Sequence, residues 1–182
     1  MKKKLNKRFR LYLIYSTILL VLMLLILLFS KDILSIFVVI ALILIASFSK
    51  IYKRFTGKLS FGFELVTLVT ILFAYRIGII FAIVAAIFMV IASEFISARF
   101  LMIHVMVQCL NYAVIALVVG ILGDVSFIPL AIGMIIFRDT VILITGLLAG
   151  ADPFKMVMAT VPNVFINIFI VTKIGLFLVN LL

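Results

Sequence analysis

A chain of 182 residues that is 68% hydrophobic and only 12% charged has too few polar side chains to coat a water-soluble core. This excludes a soluble domain and leaves the bilayer as the solvent, where helices apolar on every side are stable. The net charge of +10 does not point to nucleic acid, because the basic residues sit beside apolar runs and no aromatic–basic platform accompanies them.

The first ten residues hold six cations, Lys2, Lys3, Lys4, Lys7, Arg8 and Arg10, and lead into the apolar run Leu11–Phe29. That run has the outline of a signal peptide, but it is longer than a usual secretory core and no small-residue cleavage site follows at Ser30-Lys31-Asp32, so it reads as a retained first anchor. A second run, Ile33–Phe48, ends in the basic loop Ser49–Ser60, which contains Lys50, Lys53, Arg54 and Lys58 and is broken at Gly57. The third run, Phe61–Tyr75, is short: at about 1.5 Å per residue it reaches roughly 22 Å against a hydrocarbon core of about 30 Å. It is expected to be a tilted short span, a re-entrant half-helix or a span lengthened at its ends. After Arg76 come Ile77–Ile96, Phe100–Leu122 closed by Gly123-Asp124, and Phe127–Gly150, the last interrupted by Arg138-Asp139. Ala151-Asp152-Pro153 makes a turn, with Pro153 placed to start a final helix that runs through Leu182. The expected fold is all-α: one integral membrane domain over residues 1–182, a polytopic helical bundle of six to seven transmembrane helices.

Orientation follows from the placement of cations. With the amino terminus inside, the first ten residues, the loop at 49–60, Arg99 and Lys155 put twelve of the sixteen Lys and Arg on the cytoplasmic side, as the positive-inside rule requires. Only Lys31, Arg76, Arg138 and Lys173 remain. The expected location is therefore a cell membrane, multi-pass, with a cytoplasmic amino terminus whose cations rest on anionic headgroups.

Ionisable side chains within a span cost a few kcal/mol at mid-depth and mark function or internal pairing. Arg138 and Asp139 are neighbours and therefore point about 100° apart, so each is expected to look to another helix, a ligand or water for a partner. His104, Gln108 and Asn111 share one helical face, and Thr160, Asn163 and Asn167 repeat that spacing near Pro162, which removes a rung of the ladder. By helical rise Asn111 and Asn167 fall level with Arg138-Asp139. Arg138, Asp139, Asn111, Asn167, Gln108 and Asn163 are thus the candidate substrate-binding residues; the competing reading is that the amides are packing glue worth ~1 kcal/mol each. Glu64, Glu94 and Arg99 are expected at boundaries, as dipole-facing or surface-paired charges. Small residues at Ala82/Ala86, Ala116/Gly120 and Gly146/Gly150 allow close helix approach.

With Cys109 and His104 each alone of their kind, no intramolecular disulfide and no His/Cys metal cluster are expected, and no cofactor is implied. Triad order, zinc motif, phosphate-binding glycine loop and paired acids are all missing from the sequence, so no enzyme is expected.

The stretch Phe63–Glu94, a polar-started short helix (Glu64-Leu65-Val66-Thr67), a turn at Gly78 and a span rich in small residues, resembles the substrate-binding components of energy-coupling-factor vitamin transporters. It is similar too to the rod-shape-determining membrane protein of cell-wall elongation. The first resemblance implies a subunit that binds a small molecule and docks on a transmembrane partner, although Leu11–Phe29 lacks the alanines often used for docking. The second implies a non-catalytic scaffold for envelope or cytoskeletal partners; of that family's several central glycines only Gly78 is kept, with Glu94 as an acid near the helix end. Neither resemblance transfers ligand residues position by position. The leading expectation is a transport subunit with a mid-membrane polar pocket, and the alternative is the scaffold.

Overall fold

The structure is a computed structural model that describes residues 33–51, 64–97 and 102–182. The expected first anchor Leu11–Phe29, the basic amino terminus, most of the loop at 49–60 and Arg99 lie outside the described residues. Among those described, the regular structure is helical with no strand. We number the helices α1 (Ile33–Phe48), α2 (Val66–Arg76), α3 (Ile79–Ile96), α4 (Met102–Ile121), α5 (Phe127–Leu148) and α6 (Pro153–Leu181). By length and composition α3, α4, α5 and α6 can each cross a membrane, whereas α1 and α2 are shorter apolar helices.

The short third run becomes the centre of the bundle. α2 has 11 residues, roughly 16 Å of helix, and every side chain from Val66 to Ala74 is buried. It packs against α1, α3, α4 and α5 and touches the end of α6. A helix enclosed by protein need not match the thickness of the hydrocarbon, which removes the objection that its length raised. Its carboxyl end turns sharply into α3: Phe73 O accepts from the Ile77 and Gly78 amides, both at 2.9 Å. Gly78 has φ 140°, a conformation that side chains resist and glycine adopts freely. The turn makes α2 and α3 a helical hairpin, with Phe73 edge-on to Phe81 at 5.3 Å between ring centroids.

Small residues set the spacing of α3 and α4. Ala82, Ala86 and Ala116 are fully buried, and the place where a side chain on Gly120 would begin is already filled by Cγ1 of Ile79. Gly146 on α5 faces the flexible end of Met156 instead. The two glycines therefore predict different costs. Gly120→Ala must push a β-branched side chain near its own backbone and is expected to destabilise by about 1–3 kcal/mol. Gly146→Ala displaces only a methionine tip, and its melting temperature in detergent should stay closer to wild type; equal losses in the two variants would contradict this packing.

The α5–α6 connection is built as the sequence leads one to expect. Ala151 N donates to Gly146 O and Gly150 N to Leu147 O, each at 3.0 Å, the double bond of a Schellman cap, with Gly150 at φ 80°. Gly150 thus ends the helix and does not pack against another. Asp152 caps α6 by accepting from the Phe154 and Lys155 amides, with Pro153 at the first helical position. The Lys155 amide, with that of Phe154, holds the exposed Asp152 carboxyl below its ordinary range. α5 continues unbroken through Arg138-Asp139, and α6 continues through Pro162. The ladder loosens later, in a π turn at Val171–Gly175, where Gly175 leaves room for the Phe127 ring. Phe127 in turn lies edge-on to Tyr75 at 5.2 Å.

Candidate functional site

A single network of buried charges joins the six described helices. It begins where α1 ends. Ser49 Oγ donates to Ala46 O at 2.7 Å and accepts from the Leu65 amide at 3.3 Å, so the residues just after α1 are fastened to those just before α2. Lys50 and Glu64 are thereby brought together: Lys50 Nζ lies 2.9 Å from Glu64 Oε1. The same ammonium reaches Glu94 Oε1 on α3 at 2.8 Å and Gln108 Oε1 on α4 at 3.0 Å. Its three N–H groups are all engaged, and Lys50 has no exposed surface.

Glu64 is the hub. Its Oε1 also accepts from Tyr112 Oη at 2.9 Å, while its Oε2 pairs with Arg138 Nη2 at 2.5 Å. Because the Tyr112 proton points to Glu64, the phenol oxygen is left as an acceptor for Arg138 Nη2 at 3.2 Å and for the Thr67 hydroxyl at 3.3 Å. The guanidinium carbon also stands 5.8 Å from the Tyr112 ring centroid, a cation–π distance. From Arg138 the network passes to Asp139, with Nη1 and Oδ1 2.5 Å apart. Asn163 Nδ2 donates to both Asp139 oxygens at 2.8 and 2.9 Å, and Asn167 Nδ2 donates to Asn163 O and Oδ1 at 2.9 and 3.0 Å. Asn111 Nδ2 donates to the Arg138 carbonyl at 3.3 Å.

At the opposite end, Gln108 Nε2 and His104 Nε2 are 2.7 Å apart. Since the Gln108 oxygen faces the Lys50 ammonium, its amide N–H must face the histidine. The ring therefore accepts at Nε2 and carries its proton at Nδ1.

All six residues expected to bind substrate are buried and belong to this network, although Gln108 serves its Lys50 end and the other five its Arg138–Asp139 end. Several expectations need correction. Arg138 and Asp139 do pair with each other. The 100° between their Cβ directions is bridged by the long arginine side chain, which curls back to its neighbour while its other nitrogen reaches Glu64. Glu64 and Glu94 are neither exposed nor surface-paired; both are buried against Lys50. Glu64 lies just before α2 and not in its first turn. Lys50 is not a cation of a solvated loop but a fully enclosed one. Sequence reasoning also passed over Tyr112, whose spacing of four from Gln108, itself four from His104, is the signal that could have placed it on the polar face.

Four buried polar atoms have no hydrogen-bond partner among the described residues: Asn111 Oδ1, Arg138 Nε, Asn167 Oδ1 and Ser47 Oγ. The first three belong to the Arg138–Asp139 end. Buried polar atoms are nearly always satisfied, by protein, water or ligand, so capacity for further bonds is concentrated there. Compared with known proteins, the chain finds no match: no family model, no curated protein and no solved structure is similar to it.

Proposed function

We propose that this chain is a membrane-embedded transport subunit that binds a small polar solute around Arg138 and Asp139. In this reading it is a bundle of six or seven spans in a cell membrane, with its amino terminus in the cytoplasm. The observation that carries the reading is that three buried atoms without a hydrogen-bond partner among the described residues, Arg138 Nε, Asn111 Oδ1 and Asn167 Oδ1, belong to side chains of the Arg138–Asp139 end of the network. A network serving only to hold helices together needs no such remainder. Burying an ion costs several kcal/mol even when paired, and apolar residues of similar volume often stabilise as well or better. Five ionised side chains in one network therefore suit a centre whose pairings exchange when a solute enters. The resemblance of Phe63–Glu94 to the substrate-binding components of vitamin transporters agrees with this.

The test is purification of the full chain in mild detergent, with mass spectrometry of the small molecules it retains. A solute retained by wild type and lost from a folded Asp139→Asn variant is the expected result. If wild type retains no solute and no panel of polar solutes raises its melting temperature, the transport reading fails.

A second reading rests on a different observation. Lys50, Glu64, Glu94, Arg138 and Asp139 each have an opposite charge within the bundle, as in a network of structural ties. The chain would then be a scaffold for envelope or cytoskeletal proteins. Co-purification of such proteins, with no retained solute, is the result that favours it.

A further inference from the structure

Resting on the transport reading, we infer that the middle of α6, from Asn163 to Ile170, is the gate of the Arg138–Asp139 end, hinged at Pro162 and at the π turn and latched by Asn163. In the structure the Asp139 carboxylate is closed off. Asn163 Nδ2 donates to both of its oxygens, Arg138 Nη1 meets Oδ1, and Asp139 is 2% exposed. A solute that bonds to this carboxylate has to displace Asn163, and a helix around it has to give way.

That helix is α6. Over Pro153–Ile170 the only buried side chains are Asn163 and Asn167, whereas α3, α4 and α5 each bury several apolar ones. In a bilayer, apolar helix faces gain little by leaving lipid for one another, so polar bonds and close packing decide which helices stay together. Among the described residues, the hydrogen bonds that tie Asn163–Ile170 to another helix are those of Asn163 to Asp139. Asn167 serves the latch, because its Nδ2 donates to Asn163 O and Oδ1 and so orients that amide. Two weak points bracket the stretch. Pro162 has no N–H to give to the Met158 carbonyl, so one rung is missing, and at Val171–Gly175 the ladder passes into a π turn, a break in register often found where helices move. Beyond these points both ends are fixed. Asp152 and the Gly150 turn tie the start of α6 to α5, while Val171, Gly175 and Val179 are buried at the other end, Gly175 against Phe127. With its ends held and its ladder weakened on both sides, Asn163–Ile170 can bow away from α5 and carry Asn163 off Asp139.

The test is the reactivity of a thiol placed behind the gate. Asn167→Cys in a Cys109→Ser background puts it where the native side chain is 1% exposed, and the full chain in mild detergent is treated with 2-aminoethyl methanethiosulfonate, a small water-soluble reagent. Adding Pro162→Ala, which restores the missing rung, is expected to slow the reaction severalfold. Adding Asn163→Leu, which removes the latch, is expected to speed it about tenfold or more. A control thiol, Val119→Cys in the buried face of α4, should respond to neither change. Where the Asn163→Leu protein does not fold, the Pro162→Ala comparison decides alone. The inference is overturned if Pro162→Ala leaves the rate unchanged, or if Asn163→Leu speeds both thiols alike, which is general unfolding. A solute retained by wild type together with unresponsive thiol rates sinks the gate and leaves the transport reading standing. Rates that respond as expected in a chain that retains no solute leave α6 hinged but with nothing to admit, and end both.

Discussion

Arg138→Ala is expected to lower the stability of the folded chain by about 3–5 kcal/mol, a fall in melting temperature of roughly 6–20 °C in a chain of this size. The loss comes from what stays behind. Without the guanidinium, Glu64 Oε2 and Asp139 Oδ1 remain buried with the cation that bridged them removed. Tyr112 Oη also loses a donor. Arg138→Lys should recover only part of the loss, because one ammonium nitrogen on a shorter side chain does not reproduce the two guanidinium nitrogens that separately meet Glu64 and Asp139. Adding Asp139→Asn to Arg138→Ala should make the double variant more stable than the sum of the single losses, by about 0.5–3 kcal/mol. Melting curves in one detergent, with all four proteins compared, test this; an Arg138→Ala curve within about 2 °C of wild type would show that the bridge contributes little. This prediction holds under both the transport and the scaffold readings, so stability alone does not separate them. Solute retention by Asp139→Asn does.

Much of this fold can be read from apolar runs, because a helix that must shed water along its whole length leaves a long local signal. Ile33–Phe48 ends where the run does, and the Gly150, Asp152 and Pro153 signals mark the α5–α6 connection because capping is a matter of neighbouring residues. The polar face of α6 is local as well: Asn163 and Asn167 are four apart and both turn inward. What escapes such reading is pairing across long stretches of chain. Lys50 looks like any cation beside a span, and nothing within ten residues of it indicates that Glu64 and Glu94 will enclose it. Glu64 reads as an acid favoured by a helix dipole until the Ser49–Leu65 contact sets it beside Lys50. The Arg138–Asp139 pairing escapes for a different reason. Helical spacing fixes where a side chain starts, and a side chain as long as arginine ends well away from there. The buried position of α2 is likewise a property of the bundle. Its eleven residues carry no sign that α1, α3, α4 and α5 will surround them, beyond being too short to span.

The second large effect is expected at Lys50. Lys50→Met keeps much of the apolar stem but removes the ammonium, leaving Glu94 Oε1 and Gln108 Oε1 without the donor they share. The expected loss is again about 3–5 kcal/mol, that of breaking a buried pair from one side. The two carboxylates should not depend on Lys50 equally. Glu64 keeps Arg138 and Tyr112, so Glu64→Gln cannot repair Lys50→Met and instead strips Arg138 of a partner. Glu94 pairs with Lys50 and gains from neutralisation once Lys50 is gone. A double-mutant cycle should therefore give a coupling of about 1–3 kcal/mol between Lys50→Met and Glu94→Gln, with the double variant melting above Lys50→Met alone. The cycle with Glu64→Gln should show no such rescue. If Lys50→Met/Glu94→Gln melts no higher than Lys50→Met, then Glu94 is held by groups other than Lys50, and the network ends at Glu64 without reaching α3.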